Sequence, residues 1–348
     1  MISDNKYPFI LKLHSSHKSV IINYLLFGNQ KQNTMKAIKF TIILLLISSV
    51  SAFSQNKKLT FENENGKVEY EKLDGRFNGN YVSYHKNGQK KAEGKFENNC
   101  RKGVWKIWNE KGDVVVTKEY FSPFVTDMAD AVSVKEFAYE KNEDGFIDFY
   151  PLVQKNVAWS KRLWRTIEKE NNPELFKEDG LFSIFYILGT NGELKTYDTS
   201  SDEFVNELSL EKLSEIDPEK IEIVAYKIKE ETFYDTERQV LETRIIGICP
   251  VAKKNGKTTD LFWVYYPAVR KYLGFQQVSA GAFNENVKSL DDLFFYRCYY
   301  GQITQSSNTL GNTIAELIEN EEDQLKESER IELSIIRSEH DIWLKLAK

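Results

Sequence analysis

An α+β architecture is expected of this chain, because three kinds of pattern follow one another along it. Aromatic residues recur between glycines at a 24-residue period from Gly79 to Gly112, and two β-branched stretches at 221–229 and 238–251 flank a short polar link around Asp235. The carboxyl end then repeats apolar residues at helical spacing. The expected plan is an N-terminal β-hairpin repeat module, followed by a domain with an antiparallel sheet, grouped helices and a long C-terminal helix.

Composition bounds the function. The 348 residues carry 47 Lys plus Arg against 52 Asp plus Glu, a formal charge of -5 with 28% charged residues, which disfavours collagen-like, disordered and multi-spanning chains. Mild acidity gives no general attraction for phosphate, so no nucleic acid partner is expected.

The amino end predicts where the protein works. Lys36 and Lys39 precede the apolar run Phe40–Ile47, and the small residues Ser48, Ser49, Ser51 and Ala52 follow, in the order of a secretory signal. That run is shorter than the roughly 20 residues a bilayer span needs, so no direct membrane span is expected. Cleavage is placed after Ser54, leaving Gln55 as the new terminus; 1–34 reads as an upstream extension and 35–54 as the signal. No cysteine lies near this point to carry a lipid. Removing residues 1–54 takes away six Lys and one Asp and moves the formal charge from -5 to -10. In an oxidising compartment the three cysteines, Cys100, Cys249 and Cys298, are too few and too odd in number for a disulfide framework. Buried free thiols are expected, with a single unassigned bridge left open.

Gly79-Asn-Tyr-Val-Ser-Tyr-His-Lys-Asn-Gly88 and Gly103-Val-Trp-Lys-Ile-Trp-Asn-Glu-Lys-Gly112 align Tyr81 with Trp105 and Tyr84 with Trp108. Stacked hairpins explain the period, with positive φ supplied at the Asn87-Gly88 and Lys111-Gly112 corners and a degenerate unit from Gly66 to Gly79 as a cap. All four aromatics are expected in the hairpin core. These units resemble the bacterial MORN-repeat variant, a generic interaction module, over about residues 67–120 of a module placed at 55–120.

Residues 121–155, with Pro123, Pro151 and a polar run at 140–145, read as a linker into the domain 156–348. Trp159, Leu163 and Ile167, spaced by four, predict an amphipathic helix with Arg162 and Arg165 on its polar side. A buried helix is expected over Leu181–Leu188, and Leu261–Tyr266 reads as a central strand buried on both faces, ended by Pro267, which opens a helix through Leu273. Ser289 and Asp292 have capping-box spacing for a helix over 293–299, with Asp291 assigned to solvent. Ile331, Ile335, Ile342 and Leu346 are expected on one face of the last helix.

Nothing in the sequence predicts catalysis. After cleavage only His85, read as a solvated turn residue, and His340 remain, neither at zinc-site spacing, and phosphate loops, dinucleotide turns and nucleophile elbows are absent. No catalytic residue, cofactor or metal is expected.

Seven blocks in order, Val157–Glu168, Gly192–Asp198, Tyr226–Asp235, Arg244–Val251, Leu261–Pro267, Ser289–Phe294 and Glu339–Trp343, resemble the GldN (PorN) family of gliding motility and type IX secretion. The resemblance implies a non-enzymatic periplasmic subunit held at the inner face of the outer membrane. It implies a homo-oligomeric ring with an outer-membrane lipoprotein of GldK or PorK type, contacted by a periplasmic shaft protein of GldM or PorM type. The repeats departing from the family pattern leave an alternative, a stand-alone periplasmic binding protein that uses them to hold a protein or glycan. Trp159, Arg162, Trp164 and Arg165 are the interface candidates, since Trp and Arg dominate interface energies.

Overall fold

The 24-residue repeat folds into six strands, each hydrogen-bonded to the next in antiparallel fashion: β1 (Lys57–Asn63), β2 (Gly66–Leu73), β3 (Arg76–Tyr84), β4 (Lys90–Glu97), β5 (Cys100–Trp108) and β6 (Val114–Tyr120). The computed structural model describes residues 56–120, 140–279, 283, 287–308 and 310–347. The signal with its Ser54–Gln55 cleavage point, the upstream extension and the first part of the linker lie outside the described residues.

Gly88 and Gly112 take φ of 83° and 92° at the corners, as the repeat predicts. Tyr81 and Trp105 are fully buried, and with Tyr70, Phe77 and Phe96 they form a chain of ring contacts 5.0 to 5.7 Å apart. Gly94 is where the Trp105 indole lies flat on β4, since a Cβ there would sit 2.1 Å from its ring. Tyr84 and Trp108 are not core residues. They lie three positions beyond Tyr81 and Trp105, an odd step that turns a strand residue to the opposite face, where both are half-exposed. His85 is no solvated turn residue either, because its Nε2 lies 2.8 Å from the carbonyl oxygen of Trp108.

The second sheet has seven strands: β7 (Val157–Glu168), β8 (Thr196–Tyr197), β9 (Glu222–Asp235), β10 (Val240–Lys254), β11 (Lys257–Asp260), β12 (Trp263–Tyr265) and β13 (Gln302–Ser306). Their order is β13-β7-β9-β10-β12-β8, with β11 also on β10, and every pairing is antiparallel. The helices are α1 (Leu181–Thr190), α2 (Leu210–Ser214), α3 (Tyr266–Leu273), α4 (Leu290–Phe295), α5 (Ile314–Leu317) and α6 (Glu321–Leu346). Ile167, Ile228, Ile248 and Val264 of the sheet pack with Phe185, Val269, Leu273 and Phe294 of the helices in the main core.

The predicted helix over Trp159–Ile167 is instead strand β7. Leu163, Arg165 and Ile167 are buried at a spacing of two, and the four-residue spacing of the apolar positions suits either period. Arg165 disguised the alternation, because a buried arginine reads as a solvent-facing one. Leu261–Tyr266 contributes only the three-residue β12, one place from the sheet edge, with Tyr265 42% exposed. The capping box of Ser289 and Asp292 forms, but its helix starts at Leu290 and ends at Phe295, before Arg297 at φ 55°. Asp291 is buried, not solvated: it receives both Nε and Nη2 of Arg270 at 2.8 Å and the Tyr266 hydroxyl at 2.7 Å. Arg270 also donates to the carbonyl of Ile147 at 2.6 Å, which ties that segment to α3.

Residues 56–348 form one compact unit. Helix α6 joins its two sheets, with Ile331 and Ile335 packing beside Leu163 and Ile303, while Leu333, Ile336 and Trp343 enter the aromatic core of the hairpin sheet. The helix therefore buries two stripes rather than one, and Leu346, expected on the buried face, is 57% exposed.

His340 is fully buried in the seam between α6 and the hairpin sheet, against Tyr81, Trp105 and Trp343, with neither ring nitrogen hydrogen-bonded. Burial, then the nearby Arg101, Lys91 and Arg337, hold its pKa well below the usual imidazole value. The unfolded chain takes up this proton below about pH 6.5 and the folded protein does not, so the contribution is intact above that pH and falls away as pH drops. Glu339, pushed upward by burial against the pull of Arg101, acts in the opposite direction at the acid end. His340→Leu is expected to raise the melting temperature by roughly 2–4 °C, and to flatten its decline between about pH 6.5 and 5, in scanning calorimetry across that range.

Candidate interaction surface

Strand alternation divides β7 into two sets of side chains, and each set organises one side of the second sheet. Inward, Arg165 donates from Nε to Oε1 of Glu230 on β9 at 2.6 Å, and from Nη1 to the carbonyl of Gly301 at 2.9 Å and to Glu332 of α6 at 3.1 Å. Arg297 reaches the other oxygen of Glu230 at 2.9 Å. Lys72 of the hairpin sheet contributes its ammonium to Glu329 at 2.8 Å and Glu332 at 3.0 Å. Three cations thus meet three carboxylates at the junction of both sheets with α6.

Burial alone would push the Glu230 carboxyl upward, but the guanidinium groups of Arg165 and Arg297 outweigh it and bring the pKa down to about 2. Its stabilising contribution is therefore complete above the unfolded carboxyl value and disappears only as pH falls toward 2. A second pair, Arg101 with Glu339, joins β5 to α6, and Glu339 also accepts the backbone N–H of Leu241 at 3.1 Å.

Outward, Arg162 and Trp164 lie on the sheet's second face. Arg162 pairs with Glu231 at 3.4 Å and Glu203 at 3.7 Å, and the Trp164 indole N–H donates to the Asp202 carboxylate. Opposite Trp164 on β9, the buried Lys229 donates to the Asp202 carbonyl at 2.8 Å, the Asp202 carboxylate at 3.0 Å and Glu203 at 2.7 Å. These contacts pin the loop carrying Phe204, whose ring takes the space a Cβ at Gly247 would need, 2.3 Å from its Cζ. Phe204 in turn touches the rings of Tyr197, Trp263 and Tyr265. Tyr265 and the neighbouring Val205, 74% exposed, leave this aromatic face open to solvent.

The four sequence-derived candidates are therefore not one patch. Arg162 and Trp164 share the open face; Trp159 packs half-buried beside Leu241 near α6; Arg165 is 6% exposed and sits inside the ion network. Sequence reasoning missed Glu230, Arg297, Glu332, Lys72 and Lys229. The available signal was Lys227-Ile-Lys-Glu-Glu231, charges placed inside a β-branched run that forms the middle of a sheet. Among the described residues no group of His, Cys, Asp and Glu is arranged to hold a metal ion, and no helix is long and apolar enough to cross a membrane.

The family described as "Gliding motility associated protein GldN" matches residues 152–344, more than half of the chain, and the chain belongs to that family. It is thereby a component of gliding motility and type IX secretion. No curated protein matches the chain. The matched stretch begins just before β7 and ends inside α6, so it contains the open aromatic face and most of the ion network but not the hairpin sheet.

Arg165→Met removes one cation from a buried cluster and leaves Glu230 with Arg297 and the Tyr299 hydroxyl. A loss of about 3 kcal/mol in urea unfolding is expected, and a smaller loss for the double change with Glu230→Met, since removing both charges leaves fewer unpaired groups.

Proposed function

We propose that the chain is a non-enzymatic periplasmic subunit of the type IX secretion and gliding machinery, built into a ring with an outer-membrane lipoprotein of GldK or PorK type. The family match over residues 152–344 carries this reading. It is supported by how the buried ionisable groups are used: Arg165, Glu230, Arg270, Asp291, Arg101 and Glu339 each hold one segment of the fold against another. No catalytic constellation is built from them. A shaft protein of GldM or PorM type is a further partner of the assembled ring.

Ring growth needs heterologous contacts, in which one patch meets a different patch on the neighbour. The face of Arg162, Trp164, Phe204 and Tyr265 suits such a contact, because it combines partly exposed aromatics with a pinned loop that loses little freedom on binding. The hairpin sheet, which resembles MORN repeats, is an addition to the ring domain and keeps its half-exposed Tyr84 and Trp108 on the side away from α6. A stand-alone binding protein that uses this sheet to hold a protein or glycan is the competing reading.

Full-length protein is expected to co-purify with the lipoprotein from the same cells. Arg162→Glu combined with Trp164→Ala is expected to lower recovery roughly tenfold or more while the melting temperature stays within a few degrees. Undiminished recovery would move the docking surface off this face. Loss of co-purification by the unaltered protein would favour the binding-protein reading.

A further inference from the structure

Two of the three cysteines meet where the hairpin sheet touches the family domain. Cys100 opens β5 directly after Asn99, a turn residue at φ 69°, and Cys298 follows Arg297, at φ 55°, after α4. The two turns lie against each other: Asn99 Nδ2 donates to the carbonyls of Arg297 at 3.1 Å and Tyr299 at 3.5 Å, and Arg76 donates to the carbonyl of Cys298 at 3.2 Å. Both thiols are directed at one oxygen, the Tyr296 carbonyl, at 3.6 Å from Cys100 Sγ and 3.8 Å from Cys298 Sγ. Cys249 is elsewhere, buried in β10 with its sulfur on the Pro250 carbonyl.

We propose that Cys100 and Cys298 are the chain's disulfide-forming pair, and that their bond fastens the hairpin sheet to the GldN domain. The shared acceptor places both thiols in one neighbourhood, and closing the bond turns both side chains from that oxygen toward each other. The chemistry is exchange with an external disulfide. The thiolate of Cys100 attacks one sulfur of the oxidant and expels its partner as a thiolate; Cys298 then attacks the Cys100 sulfur of the mixed disulfide and expels the second. Two protein thiols become one disulfide, the oxidant is reduced to two thiols, and the two protons pass to them.

Burial pushes the Cys100 thiol up to about 12, and Cys298 is raised further by burial and by the neighbouring Cys100. Thiolate is scarce in the finished fold, so exchange is fastest while the sheet is still docking. Cys100 is the half-exposed member of the pair and meets the oxidant first, while a cleft of about 400 Å³ lined by Asp74, Arg76 and Asn172 reaches the Cys298 side. The bond has a physical use at this seam. His340 and the hydroxyls of Tyr81 and Tyr120 are buried without hydrogen bonds where the same sheet meets α6, so the sheet's non-covalent attachment is less than optimal.

Full-length protein refolded from denaturant with oxidised glutathione, then alkylated and digested, is expected to show one free thiol, at Cys249, and a linked peptide pair containing Cys100 and Cys298. Cys249→Ser should keep the bridge and Cys100→Ser should abolish it. Reduction should lower the melting temperature by roughly 5–10 °C in the unaltered protein and leave that of Cys100→Ser unchanged, since the bond closes a loop of about 200 residues. Three free thiols, a bridge to Cys249, or glutathione held on Cys100 or Cys298 without closure would each overturn the pairing. The periplasmic reading is tested separately: protein alkylated at lysis with all three thiols free, when the refolded protein forms the bridge, would count against export and not against the pairing.

Discussion

The buried pair of Arg165 and Glu230 is the constraint on which the rest of the second sheet depends. A guanidinium and a carboxylate removed from water are tolerated only with further partners, and these come from three places: the turn after α4, the backbone at Gly301, and α6. Satisfying the pair therefore sets the position of α6 against β7. Once α6 is placed, its Glu332 and Glu329 receive Lys72 from the hairpin sheet, so a single electrostatic requirement extends from the family domain into the added module.

Two of the contacts that hold the hairpin sheet differ in quality. At Lys72 every charge is matched, and the ammonium also faces the Phe77 ring at 4.5 Å. Around His340 the packing is aromatic and tight, but polar atoms are buried without partners. An interface that is apolar in area and incomplete in hydrogen bonding is held mainly by water exclusion, which has no direction and does not specify register. Register must then come from the ion pairs, Lys72 at one end and Arg101 with Glu339 beside His340. Lys91 with Asp341, and Arg337 with the Gly66 carbonyl, add directional contacts along the same helix.

What could be read from the sequence was local, and what could not was long-range. The glycine corners, the Pro267 helix start and the Ser289 capping box depend on residues a few positions apart, and all of them form. Arg165 and Glu230 are 65 residues apart, and Lys72 and Glu332 are 260 apart. Neither partner alone announces burial, because an arginine in an amphipathic pattern reads as solvent-facing. That one inversion turned β7 into an expected helix, and the same blindness to a distant partner sent Asp291 to solvent when Arg270 was waiting for it. The interface candidates were chosen by residue type, which could not separate the half-exposed Arg162 and Trp164 from the buried Arg165.

That separation follows from the strand itself. In a helix Arg162 and Arg165 would have lain close on one face, and a change at Arg162 would have disturbed the ion network around Arg165. In a strand, positions 162 and 164 point one way and 163, 165 and 167 the other. The core is thereby assigned to one side of β7 and the loop of Asp202 to Phe204 to the other, only the thickness of a sheet apart. The outward side has its own constraint: Arg162 reaches Glu203, Trp164 reaches Asp202 and Lys229 reaches both acids from below, and these contacts give the loop of Asp202 to Phe204 a defined surface.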